Sequence, residues 1–191
     1  MCYATGFARS LIENRLKEFG FLDKINIITI ENDKDIKLNN FNLSFISTTH
    51  SIPEPHAILI KTKYGNLLHT ADWKIDFNPT LGSQIDQKKF EKIGNEGLLA
   101  LIGDSTNADV PGFSKSELEV KEELIKIFSR YNKRIVITCF SSNIERMESI
   151  FIAAKKNNRK VALVGRSMKK TIAAAIENDI IDKDISFISE D

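Results

Sequence analysis

Cysteine is scarce in this chain: Cys2 and Cys139 are the only two in 191 residues, and they lie far apart. Cys139 sits in the apolar run RIVITCF, so it reads as a buried free thiol rather than part of a disulfide scaffold or a zinc knuckle. A reducing cytoplasm suits such a chain. Long apolar runs are missing too; none approaches the about 18 residues that a membrane span needs. The opening MCYATGFARS has no apolar core of a signal peptide. Neither sign of charge is in excess, since the formal net charge is +1. Charge balance alone therefore does not announce a nucleic-acid binder, although lysines can still gather on one face. Internal repeats and low-complexity tracts are absent. With 42% hydrophobic and 28% charged residues, the chain can build a core, as one domain or two small ones.

Histidine is rare as well, and its placement is uneven. All three, His50, His56 and His69, fall within one short window around TTHSIPEPH and LLHTADW. Histidine is the usual neutral nitrogen ligand for zinc and the usual proton carrier near neutral pH. This window lies in a β-rich half. A first helix, TGFARSLIENRLKEFG, carries Phe7, Leu11, Ile12 and Leu16 at helical spacing and stops at Gly20. Strands are expected at 25–30, 35–38, 42–48, 57–62 and 66–70. KYGN turns the last two into a hairpin, and Pro53 and Pro55 keep 51–56 irregular. The polar stretch 76–95 reads as a long loop with about one helical turn, of a length often found near a site.

The second half changes rhythm. GLLALIGDS (97–105) reads as a buried strand, SKSELEVKEELIKIFSRY as a helix with Ser114 and Glu117 at capping-box spacing, and RIVITCF as a strand. NIERMESIFIAAKKN follows as a helix with Ile144, Met147, Phe151 and Ala154 on one stripe, then a strand KVALVG and a helix MKKTIAAAIEN. Alternating strands and helices imply parallel strands with right-handed crossovers.

Three places carry residues suited to chemistry. His50 and Asp72 each lie just past a strand; if those strands are neighbours, both side chains emerge at one sheet edge. That pairing reads either as half a zinc site or as a hydrogen bond that tidies a loop. His56, after PEP, reads as an exposed loop histidine, and His69, inside a strand, as a packed or supporting one. Ser142 and Asn143 stand at the start of the NIER helix. There, hydroxyl, amide and the Ile144 N–H could hold an anion such as a nucleic-acid phosphate, or form an ordinary cap. GRSM at 165–168 repeats the arrangement with Arg166, and two such turns on one sheet edge suggest a ligand groove. It lacks a G-x-G-x-x-G pattern, which weakens a nucleotide-binding reading. Asp104, in GDSTNAD, ends a strand and needs a donor or a metal-bound histidine as partner.

In order, THSIPEP…AILIKTKYGNLLHTADWKID, GDSTNADVPGFSKSE and RIVITCFSSNIERMESIFIAAKKNNRKVALVGRSM resemble ribonuclease J. That family comprises metallo-β-lactamase-fold nucleases with an inserted β-CASP domain. The resemblance implies an α/β fold: a partial metallo-β-lactamase αββα sandwich over 1–112, joined to part of a parallel α/β β-CASP domain over 113–191. It implies a cytoplasmic RNA-processing hydrolase. Two zinc ions would activate a water against an RNA phosphodiester, with 5′-exonuclease and endonuclease activity. His50 would be a zinc ligand and Asp72 the carboxylate bridging both metals. Asp104 would support a ligand histidine, and Ser142, Asn143 and Ile144 would contact RNA. Ala71 stands where the family usually has glycine, a small change unless the position needs positive φ.

The family's main metal motif, H-x-H-x-D-H, is absent. The chain thus reads as an internal fragment or one chain of a split enzyme. The expectation is an incomplete zinc site, no catalysis by the isolated chain, and marginal solubility unless a second chain or a homo-oligomer completes the fold. The alternative is a non-catalytic RNA-binding or assembly module.

Overall fold

The computed structural model describes residues 1–30, 34–183 and 185–189. In chain order its elements are β1 (Cys2–Ala4), α1 (Gly6–Glu18), a single 3-10 turn (Leu22–Lys24), β2 (Ile27–Thr29), β3 (Ile36–Leu38), β4 (Phe41–Ser47), β5 (His56–Thr62), β6 (Gly65–His69), α2 (Gln87–Glu96), β7 (Ala100–Ile102), α3 (Glu117–Arg130), α4 (Ile144–Lys156), β8 (Val161–Ala162), α5 (Arg166–Glu177) and β9 (Phe187–Ile188). The architecture is mixed α/β, as the sequence implied. No described helix is long and apolar enough to cross a membrane.

Two compact units divide the chain. One comprises Met1–Thr29, Ser51–Pro53 and Ser116–Asp191; the other comprises Ile30–His50 and Glu54–Lys115. This grouping differs from the 1–112 and 113–191 division drawn on the sequence, because the first 29 residues cluster with the C-terminal part.

The second of these units is a five-stranded sheet in the order β3-β4-β5-β6-β7. Pairing is antiparallel from β3 to β6, with Phe45 opposite Ile58 and Leu59 opposite Leu68; β7 joins β6 in parallel, with Leu68 opposite Leu101. Alternation places Ala57 and Leu59 on one face with Ile46 and Leu68. That face packs against Ile93 of α2, with Phe90 and Leu98 beside it. The loop expected over 76–95 therefore contains a full helix. Its apolar stripe is only Phe90 and Ile93 among many charges, too thin to announce itself, yet Asp86 caps it by accepting from the Lys89 N–H at 3.0 Å. The expected burial of β7 is not found: Leu101 is 62% exposed. This strand lies at the end of the strand order with a partner on one side only.

The other unit is mostly helical. β1 and β2 pair in parallel across α1, a strand–helix–strand crossover whose first strand the sequence did not reveal. β8 and β9 pair in parallel across α5. Phe128 of α3 packs with Ala153 and Ala154 of α4. The α4 stripe is as expected, with Ile144, Met147, Phe151 and Ala154 all buried. The α3 cap lies two residues later than the sequence suggested. Ser116, not Ser114, accepts from the Glu119 N–H at 3.2 Å and forms the capping box. RIVITCF is not a strand: among the described residues 134–140 joins no ladder, and Val136 and Phe140 are 83% and 82% exposed. Its β-branched residues favour a pleated surface only where a neighbouring strand supplies one.

Candidate functional site

The sheet's connectivity decides which turns meet. β4 and β6 are each antiparallel to β5, so they run the same way, and β7 runs with β6. The residues that follow these three strands, 48–50, 70–72 and 103–104, therefore leave the sheet at one end. β4 and β6 are not neighbours, contrary to the condition drawn from sequence, because β5 lies between them. β5 begins only at His56, however, and beyond its start the segments following β4 and β6 meet directly: Thr49 bridges Lys74.

A network of short-range bonds sets these turns. The Thr49 hydroxyl donates to the Lys74 carbonyl at 2.5 Å and accepts from the Asp76 N–H at 3.0 Å. Asp76 is 3% exposed, pairs with the Lys74 ammonium at 3.3 Å and accepts from the Asn78 N–H at 2.9 Å. A buried carboxylate needs such partners. The sequence reading missed it, although an aspartate two residues past a lysine in KID was the available signal. Thr70 is fully buried; its N–H donates to the Ile102 carbonyl at 3.0 Å, extending the β6–β7 pairing. The Trp73 indole N–H points to the Asp104 carbonyl oxygen at 3.4 Å, and its ring tilts against Phe90 with 6.0 Å between centroids.

Asp104 lies in this cluster. Its Oδ1 accepts from the Thr106 hydroxyl at 2.5 Å and from the Thr106 N–H at 3.0 Å. These two bonds hold its pKa below the ordinary carboxylate value, with smaller lowering contributions from the Trp73 backbone and from His50. Asp72 is exposed on the turn between Ala71 and Trp73. The turn is left-handed at Ala71, with φ 54°. The exception noted for the glycine-to-alanine change therefore applies, and Ala71 is held in a conformation that disfavours a Cβ.

The remaining histidines differ from expectation. His69 is exposed rather than packed, and its Nδ1 accepts from the Ala71 N–H at 3.0 Å. His56 is not in a loop. It opens β5 opposite Ser47, its Nδ1 faces the Glu54 carbonyl at 2.9 Å, and its ring meets Phe45 edge-on. The described residues contain no group of three or more His, Cys, Asp and Glu placed to hold a metal. His50 nitrogen and Asp72 oxygen are donor types that zinc accepts, yet these residues alone do not make a zinc site, which takes three or four protein donors.

In the helical unit, α4 is capped by Asn143, whose Oδ1 accepts from the Arg146 N–H at 2.9 Å. The Ile144 side chain is fully buried, and its N–H already donates to the Ser142 carbonyl at 3.0 Å. Ser142 is exposed. Arg146 makes a two-pronged bond to Glu117 on α3, at 3.0 and 2.9 Å, which raises the arginine pKa and orients α4. The two helix-start turns do meet, through a hydrogen bond between the Ser141 and Ser167 hydroxyls at 2.9 Å. Ser141, Ser142, Arg166, Ser167 and Lys170 line a cavity of about 390 Å³, where Glu18 pairs with Arg166 and Lys170.

Residues 132–191 match the family model described as "Ribonuclease J, beta-CASP domain". The chain is 39% identical to "Ribonuclease J" of Sinorhizobium meliloti over 189 residues, which is 99% of this chain and 34% of that protein. It is 39% identical to "Ribonuclease J 1" of Streptococcus pyogenes, across 92% of this chain and 31% of the relative. It is 34% identical to "Ribonuclease J2" of Bacillus subtilis, across 95% and 33%. The chain thus spans about a third of the length of these relatives. A crystal structure of a protein of unknown function from Enterococcus faecalis V583 shares the fold, with a TM-score of 0.69 at 15% identity, covering 99% of this chain and 45% of that one.

Proposed function

The chain belongs to the ribonuclease J family, and from that premise we propose that it supplies part of a zinc-dependent, RNA-cleaving centre. His50 and Asp72 donate to metal, and Asp104 braces a further ligand. The Ser142 hydroxyl and the Asn143-capped start of α4 position an RNA phosphate, with Ile144 anchoring that helix start from the core. The parent activity is phosphodiester hydrolysis in RNA processing, from 5′ ends and internally, in a reducing cytoplasm. The observation that carries this reading is that the turns bearing His50, Asp72 and Asp104 leave one end of one sheet.

Because the described residues bring together no group of three or more metal donors, catalysis at this site needs further ligands beyond them, which a completing partner would supply. The same observation favours a second reading, a non-catalytic RNA-binding module. Zinc content separates the two. Purified with its completing partner, the chain is expected to carry near-stoichiometric zinc and to cleave RNA. Alone it is expected to bind zinc weakly and leave RNA intact. Salt-sensitive RNA binding without zinc under both conditions would establish the module instead. Chelator-sensitive cleavage by the pure isolated chain, lost in His50→Ala, would overturn the need for outside ligands.

A further inference from the structure

Resting on the reading of the Asp72 and Asp104 turns as parts of one site, we propose that Thr70 is the positioning residue that sets those two turns as a unit. The Thr70 hydroxyl donates to the Ala71 carbonyl at 2.8 Å and accepts from the Asp104 N–H at 3.0 Å. Its own N–H is engaged by Ile102, so the side chain enters the cluster from a fixed strand end. One hydroxyl proton aimed at Ala71 leaves its lone pairs for Asp104, so the two bonds share one orientation. The peptide that needs this help is the left-handed one at Ala71, whose N–H is tied to His69 and whose carbonyl is tied to Thr70. Asp72 follows directly. Thr70 therefore does two things with one oxygen: it holds the strained residue before the exposed carboxylate, and it fastens the backbone of the second carboxylate to the same point.

The chemistry separates a hydroxyl requirement from a volume requirement. Thr70→Val keeps the shape and removes both bonds; Thr70→Ser keeps both bonds and removes a methyl group. Amide hydrogen exchange on the 191-residue chain reads the coupling without metal or RNA. Relative to the Leu59 amide in the sheet core, the Asp104 amide is expected to exchange about tenfold faster or more in Thr70→Val, and within about threefold of wild type in Thr70→Ser. Equal changes at Asp104 and Leu59 in Thr70→Val would overturn the assignment, as would Thr70→Ser behaving like Thr70→Val. Should Thr70→Val fail to fold, wild type and Thr70→Ser still decide: an Asp104 amide exchanging at the unprotected rate in either removes the clamp. Titration with zinc alone then tests the site reading apart from the clamp. Asp72 and Asp104 resonances are expected to shift along one binding curve in wild type and to separate in Thr70→Val. Exchange as expected with no zinc response, alone or with the completing partner, supports the clamp and sinks the metal reading.

Discussion

The two units hold their candidate turns by different means. In the sheet unit, the turns after β4, β6 and β7 are placed by ladders between residues far apart in sequence, Ile46 with Ala57 and Leu68 with Leu101, and then joined by Thr49 and Thr70. In the helical unit, the turn at Ser142 is set mainly by Asn143, one residue away, while Glu117 of α3 fixes how α4 is aimed through Arg146. Register governs the first arrangement and a cap plus one ion pair governs the second. Damage to the sheet core should therefore disturb every turn in that unit at once, whereas damage to the helical unit should stay close to the altered residue.

The largest effect expected from this contrast comes from the sheet. Ile46 is fully buried, and Ile46→Ala should lower stability by about 3 kcal/mol through lost burial and the cavity left behind. Denaturant unfolding measures the loss, and exchange should accelerate together at Leu59, Leu68 and Asp104. Acceleration confined to Ile46's immediate neighbours would break the comparison. Next is Glu117→Ala, which leaves a partly buried guanidinium without its carboxylate. Discounted for the one-third exposure of Arg146, the cost should be about 2 kcal/mol, seen at α3 and α4 amides and not in the sheet. Ala71→Gly should act in the opposite direction. Relief at φ 54° outweighs the added freedom of the unfolded chain, so stability should rise by about 1 kcal/mol or less. A loss on this change would mean that the turn is not strained. The smallest effect is electrostatic. The pKa of Asp104 is lowered on folding, so its contribution is complete above the unfolded value of about 3.9 and is lost as pH falls through the folded value. Thr106→Val should remove most of that contribution, lowering stability slightly at neutral pH, leaving it nearly unchanged below the folded value, and flattening that part of the acid-unfolding curve.

Legibility followed the same division. The hairpin of β5 and β6, the α4 stripe and the approximate spans of α3 and α5 were readable, because each rests on periodicity within a few residues. Helix α2 was not readable, because two apolar residues among charges look like a loop until a sheet face meets them. The strand expected at 134–140 failed for the converse reason: its pattern was correct, but no strand among the described residues pairs with it. At the candidate site, His50, Asp72 and Asp104 were identifiable as residues, whereas Asp76 and Thr70 were not, since burial and a shared hydroxyl are properties of folded neighbours.

From its sequence alone, this protein's family resemblance, its mixed α/β character and the identities of its candidate donors were determined, because residue type and local spacing carry that information. Only tertiary structure decided that β5 stops short of the Thr49–Lys74 bridge, that Ala71 must be left-handed and that one buried hydroxyl serves two acidic turns. Those facts depend on strands brought together from positions tens of residues apart, and a hydrogen bond is made by distance and angle in space rather than by order along the chain.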